Sequence, residues 1–367
     1  MRLGWFVVCA ALAGACGRQN FNENNDGGGD DAGSGSSGER PNWVFVSQNL
    51  FTGGLGGIDG ADQRCHDEAV DAGLDGHFIA LLSDGTTSAF SRLEGSRGWL
   101  RRDGKPVADR PSQLMNFAGW YPISTNAEGE SVLSSRIETW TGMRSDGTPV
   151  PNGTCSAWSS PVNSTSGGKG SLSSGGARGI DESTNPCDAL NHLYCFETGH
   201  DVQVAAPTPV VGRLAFITRG TWAPSGGIGN ADTFCQNDAN AANLSGRTFL
   251  AALPATAASM QSRFALTGAP WVRADGVPIT ESASQMFTTQ FASTHLSMNV
   301  DGTVTKLTQV FGGGSDHPAT MSCNDWTSAS GGITGFSDNE DDVGIVNRFG
   351  DNVATCNSAA ALLCLEQ

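Results

Sequence analysis

Eight cysteines dominate the residues that could do chemistry in this chain. Leaving aside Cys9 and Cys16, they fall as Cys65, Cys155, Cys187 and Cys195, then as Cys235, Cys323, Cys356 and Cys364, at intervals of 90, 32 and 8 residues and then 88, 33 and 8. No C-x-x-C pair occurs, and no histidine is interleaved at zinc-ligand spacing. In an exported chain this even count reads as two disulfides per set, not as a metal or redox centre. Four cysteines allow three connectivities, and spacing alone does not choose among them. The histidines are scattered, with His66 and His77 in the first half and His295 and His317 in the second, none at a matched position beside a nucleophile. No G-x-S-x-G, H-E-x-x-H or G-x-x-x-x-G-K-[ST] motif is present. A hydrolase would therefore need a triad assembled by folding, and the chain is read as non-catalytic.

Four further groups recur or stand out. Asp338, Glu340, Asp341 and Asp342 form a hard-oxygen set that would hold Ca2+ if a loop wrapped it, with a solvated loop as the alternative. No other cofactor is implied. Asp62 and Asp232 occupy equivalent places in the first turn of a helix, where a carboxylate is expected to accept that turn's free N–H groups. Trp158 and Trp326 each follow a cysteine by three residues and are expected to pack in the core rather than stack on a sugar. Trp120 and Tyr121 form an aromatic pair without a counterpart in the second half; they read either as a contact patch or as core peculiar to the first half.

These residues sit on a repeated frame. Gly56-Gly57-Ile58-Asp59-Gly60-Ala61-Asp62-Gln63-Arg64-Cys65 returns as Gly226-Gly227-Ile228-Gly229-Asn230-Ala231-Asp232-Thr233-Phe234-Cys235. Trp99 to Pro106 returns as Trp271 to Pro278. The chain is thus a duplication. Ile58, Ala61, Cys65, Ala69 and Ala72 are spaced 3, 4, 4 and 3, which predicts one buried helical face; Ile228, Ala231, Cys235, Ala239 and Ala242 repeat it. Gly73 and Asn243 follow where a left-handed residue ends a helix. Apolar runs at 78–82 and 249–253, hairpin signals at Asp103-Gly104 and Asp275-Gly276, and closing runs around Cys195 and Cys364 predict strands. The domains are placed at 42–199 and 210–367, with a Pro-containing polar linker at 200–209.

The address is read from the first forty residues. An apolar stretch after Arg2 is too short to span a bilayer and reads as an export signal over 1–15. Leu12-Ala13-Gly14-Ala15-Cys16 resembles the lipobox of bacterial lipoproteins, which implies that Cys16 is lipidated, for instance with palmitate, and becomes the mature N-terminus. Residues 16–41 are rich in Asn, Asp, Gly and Ser and read as a disordered tether with an r.m.s. span of about 25–30 Å. The only membrane contact expected is through lipid, and Gly17 after Cys16 favours the bacterial outer membrane and the cell surface. With 21 Lys+Arg against 37 Asp+Glu, the charge balance argues against nucleic acid as a partner.

The G-G-I-x-x-A-D-x-x-C motif, Gly73 to Ser83, Cys155-x-x-Trp158 and the closing Cys-x7-Cys-Phe-Glu together resemble endostatin, the C-terminal domain of certain collagens. They are still more similar to the endostatin-like surface lipoproteins of spirochaetes. The resemblance covers 44–197 and 214–366. It implies an α+β fold of two tandem C-type-lectin-like domains, with Cys65 paired to Cys195, Cys155 to Cys187, Cys235 to Cys364 and Cys323 to Cys356. It also implies binding or adhesion to an extracellular protein or glycan; a structural envelope lipoprotein without a specific ligand is the alternative. The calcium tripeptides of lectins are missing. Each copy is acidic and lacks endostatin's His cluster, so neither heparin nor endostatin's zinc is expected.

Overall fold

Both faces of the central strands are apolar, so each must be covered. In the computed structural model, which describes residues 40–115, 119–133, 138–255, 258–288, 291–305, 309–312, 321–331, 334–339 and 352–367, each domain achieves this with one mixed sheet. The first domain runs β1 (Asn42–Val46), α1 (Gly57–Asp71), β2 (His77–Ala80), β3 (Trp99–Arg101), β4 (Pro106–Ala108), α2 (Pro111–Met115), β5 (Glu138–Trp140), the single turn α3 (Cys155–Trp158), β6 (Ser166–Ser171), β7 (Ser183–Pro186) and β8 (His192–Thr198). Its strand order is β4-β3-β1-β8-β5-β6-β7, with β2 also paired to β8. Alternation along β1 and β8 sends Phe45, Leu193 and Cys195 to the α1 face and Val44, Val46, Tyr194 and Phe196 to the other.

The second domain repeats the path as β9 (Arg213–Ile217), α4 (Ile228–Ala241), β10 (Phe249–Ala251), β11 (Trp271–Val272), β12 (Gln309–Phe311), α5 (Cys323–Trp326), β13 (Thr334–Asn339), β14 (Asn352–Thr355) and β15 (Ala361–Glu366). Its order, β11-β9-β15-β12-β13-β14 with β10 also on β15, matches the first sheet without a regular β4. Both domains are therefore α+β, and each carries two disulfides. These are Cys65–Cys195, Cys155–Cys187, Cys235–Cys364 and Cys323–Cys356, the nested pairing that the resemblance implies.

The helices follow the expected face. Ala61, Cys65 and Ala69 are buried in α1, as are Ala231, Cys235 and Ala239 in α4. Gly73 (φ 70°) and Asn243 (φ 63°) are left-handed, and the next N–H groups, of Leu74 and Leu244, return to Ala69 O and Ala239 O. Asp62 and Asp232 depart from expectation. Neither caps its own helix, whose N-cap is a glycine. Each instead accepts from the strand that follows, from Ala80 N at 2.9 Å and Ala251 N at 2.9 Å, and pairs with Arg92 or Arg263. The arginine lies about thirty residues downstream and also donates to Ala80 O or Ala251 O, so the carboxylate clamps helix to strand. Helical position alone could not show a partner that only folding supplies.

Glu39–Gln367 forms one compact unit in which the two domains meet. Leu133 packs on the core of the second domain and Val304 on that of the first. The stretch 200–209 is laid along both domains: Arg97 N donates to His200 O and Val204 N to Asp109 Oδ1, and Pro209 lies against Gly276. Where the chain enters the first sheet, the fully buried Glu197 accepts two hydrogen bonds of 2.6 Å from Arg40 and one from Trp43 N. Among the described residues no helix is long and apolar enough to cross a membrane.

Candidate functional site

Among the described residues, the longest runs of left-handed backbone without glycine are the two Cys-x-x-Trp turns. Cys155, Ser156, Ala157 and Trp158 have φ of 47°, 55°, 53° and 62°, and Cys323 to Trp326 have 50°, 54°, 53° and 62°. Each set is one turn of left-handed helix without a glycine, at about 1–2 kcal/mol per residue above the right-handed form. Tertiary contacts hold it. The disulfide fixes its first residue, while Trp158 and Trp326 are fully buried and donate from Nε1 to Ser83 O and Pro254 O, both at 2.7 Å. Trp158 also tilts against Trp140, with ring centroids 5.8 Å apart. Both tryptophans are core, as expected.

The turn leaves Ser156 and Ala157 exposed, and Ser156 forms part of the wall of an open groove of about 760 Å³ in the first domain. Six of the residues lining the groove carry a hydroxyl or carboxamide, namely Asn152, Thr154, Ser156, Ser164, Thr165 and Ser166; the others are Gly85, Pro149, Val150 and Pro151. None is charged. The site has no general base or strong nucleophile, and its capacity is for hydrogen bonding, since hydroxyls and amides both donate and accept. The Pro-Val-Pro segment keeps one wall stiff. No single motif announces this groove, but the clustering of Ser, Thr, Asn and Pro at 149–152 and 160–166 around a cysteine is a compositional trace of it.

The aromatic pair Trp120–Tyr121 lies elsewhere, with Tyr121 buried, Trp120 half-buried and its loop against the second domain. Trp120 O accepts from Thr294 Oγ1 of the second domain at 2.7 Å, and Gly119 O lies 3.1 Å from His295 Nε2. Tyr121 is buried at this seam near two equivalent pairs, Arg101–Asp103 and Arg273–Asp275, and burial raises its hydroxyl pKa. An aromatic dipeptide in a loop looks the same in sequence whether it meets solvent or a second domain. The closest approach here is at Gly175, where a Cβ would stand 2.0 Å from the His295 ring. His295 is buried, with Nδ1 on Ser297 Oγ and Nε2 3.0 Å from the Arg273 guanidinium. Burial, then the Arg273 charge, lowers its pKa to about 3, so the ring is neutral.

Asp338 lies in β13, its backbone paired with Val310, whereas Glu340, Asp341 and Asp342 lie outside the described residues, as does Cys16. Among the described residues, no three His, Cys, Asp or Glu side chains converge to hold a metal ion.

With the sheet order, the nested disulfides and the turn in place, the chain can be set against known proteins. It is 26% identical over 167 residues to the human collagen alpha-1(XVIII) chain (Homo sapiens). The match covers 40% of this chain and 9% of that collagen, so the likeness is distant and partial. No family model matches the sequence. The similarity agrees with an endostatin-like reading of the fold and carries no activity with it.

Proposed function

We propose that this chain is a non-catalytic, lipid-anchored surface protein of the endostatin-like lipoprotein type, held at the bacterial outer membrane through Cys16, and that it binds an extracellular ligand. The groove beside the Cys155–Trp158 turn is its binding site, and the ligand it suits is an uncharged glycan. One observation carries this reading: a groove of ligand size whose polar lining is wholly neutral, on a frame stapled by Cys155–Cys187. A neutral lining leaves no unpaired charge to desolvate when hydroxyl-rich ligands dock. An anionic polysaccharide would find no cation among the lining residues and a net charge of -16 on the chain.

The test is an array of matrix proteins and glycans probed with the tethered ectodomain, with and without EDTA, beside a Ser156→Arg variant. Saturable binding to neutral glycans, unchanged by EDTA and weakened at least tenfold by the bulky charge of the variant, is the expected result. Loss with EDTA would move the site to the acidic residues around Asp338. Binding confined to a protein and indifferent to Ser156→Arg would remove the groove from the function. An absence of saturable binding would leave a structural envelope role, and His-dependent turnover a hydrolase.

A further inference from the structure

We propose that the first domain carries a divalent transition-metal site in which His66 of α1 and His77 of β2 supply two imidazole nitrogens to an ion of the Ni2+, Cu2+ and Zn2+ group. The two histidines line one open pocket of about 310 Å³, together with Asp59, Asp62, Gln63 and Phe78. Helical spacing puts Asp59, Asp62 and His66 along one face of α1. The bond from Ala80 N to Asp62 draws β2 alongside that face, which brings His77 to the same opening.

The state of each side chain suits ligation. His77 Nδ1 is 2.9 Å from Thr198 Oγ1, a contact that orients the ring and leaves Nε2 as the nitrogen for a ligand. Metal-binding histidines commonly engage their second nitrogen in this way. The His66 side chain is exposed and has no hydrogen-bond partner among the described residues. Asp62 is engaged by Arg92 and Ala80 N, so it contributes charge beside the ion and not a coordinating oxygen. Among the described residues no three His, Cys, Asp or Glu side chains are grouped to hold an ion, so water would complete the coordination shell and the ion would exchange readily.

The second domain is an internal control. It keeps the clamp, with Asp232 on Arg263 and Ala251 N, so Asp62 is explained by the scaffold. It carries Gly229, Gln236 and Thr248 where the first domain has Asp59, His66 and His77. There Gln236 ties helix to strand, accepting from Phe249 N at 3.0 Å and donating to Arg247 O at 3.0 Å. The fold is therefore built without either histidine, and with the imidazoles the first domain gains ligands that suit borderline metals. The acidic chain further favours cations near its surface.

The full chain is titrated with Zn2+ by calorimetry and with Cu2+ by electron paramagnetic resonance. H66Q and H77T serve as variants because each installs the residue that the second domain uses at that place; metal-free melting verifies their folding. One ion per chain is expected, with nitrogen hyperfine coupling from two imidazoles and an affinity at least fivefold weaker in either variant. The absence of stoichiometric binding, a loss under fivefold in a folded variant, or an equal loss on replacing His200 overturns the proposal. Because this site is apart from the groove, its failure leaves glycan binding untouched, and the reverse holds.

Discussion

Trp158→Ala is expected to destabilise the first domain by about 3–5 kcal/mol, the usual range for emptying a buried tryptophan site. For a domain of this size that is a fall in melting temperature on the order of 10 °C. The side chain is fully buried, touches Trp140, and makes a 2.7 Å hydrogen bond to Ser83 O, so the variant leaves both a cavity and an unpaired carbonyl. It also removes one of two anchors of a turn whose hand runs against the intrinsic preference of its residues. With Trp158 gone, relaxation of the turn toward right-handed dihedrals moves Ser156, and loss of groove binding accompanies loss of stability. Trp326→Ala should destabilise the second domain while leaving the groove intact. Calorimetry with ligand binding measures both.

Ser156→Gly provides the opposite sign. Glycine populates the left-handed region without steric cost, so at φ 55° the substitution is expected to be neutral or to stabilise by up to about 1 kcal/mol. On an ordinary right-handed turn the same change would cost about that much. A clear destabilisation would therefore contradict the left-handed turn itself.

Mild acid is expected to loosen the seam between the domains through His295. Its folded-state pKa is about 3, below the ordinary value of about 6.5, so folding requires the neutral ring. The His295 contribution is complete above pH 6.5 and is lost as pH falls from there toward 3. By pH 5 the loss is about 2 kcal/mol, and over the full span on the order of 5 kcal/mol. The charged groups facing the ring are Arg273, which opposes protonation, and Asp275, which favours it. Asp275 is half-buried, which alone would raise its pKa, but its bonds to Arg273 hold its pKa below the usual value, so its loss falls at lower pH and in the same direction. Urea unfolding of the wild type and of His295→Gln, followed between pH 7 and 5, separates the two. The wild type should lose stability across this window and the variant should not. Parallel slopes would dismiss His295 as the titrating group.

What could be read in the amino-acid order was whatever is encoded locally or covalently. Helical spacing from Ile58 to Ala72 and the left-handed end at Gly73 reappear at 228–243, because both depend on near neighbours. The duplicated cysteine intervals marked two stapled units, and the endostatin resemblance supplied the pairing that the intervals left open. Tertiary structure decided the other contacts between residues far apart in the chain. Asp62 reads locally as a cap, whereas folding brings Arg92 to it, and the loop of Trp120–Tyr121, open in sequence to either a surface or a core reading, lies against Thr294 and His295. The left hand of Cys155–Trp158 is likewise opposed by local preference and exists because a buried indole and a disulfide outweigh it. Local periodicity selects elements and faces, whereas desolvation and long-range contacts select handedness, partners and the shape of the groove.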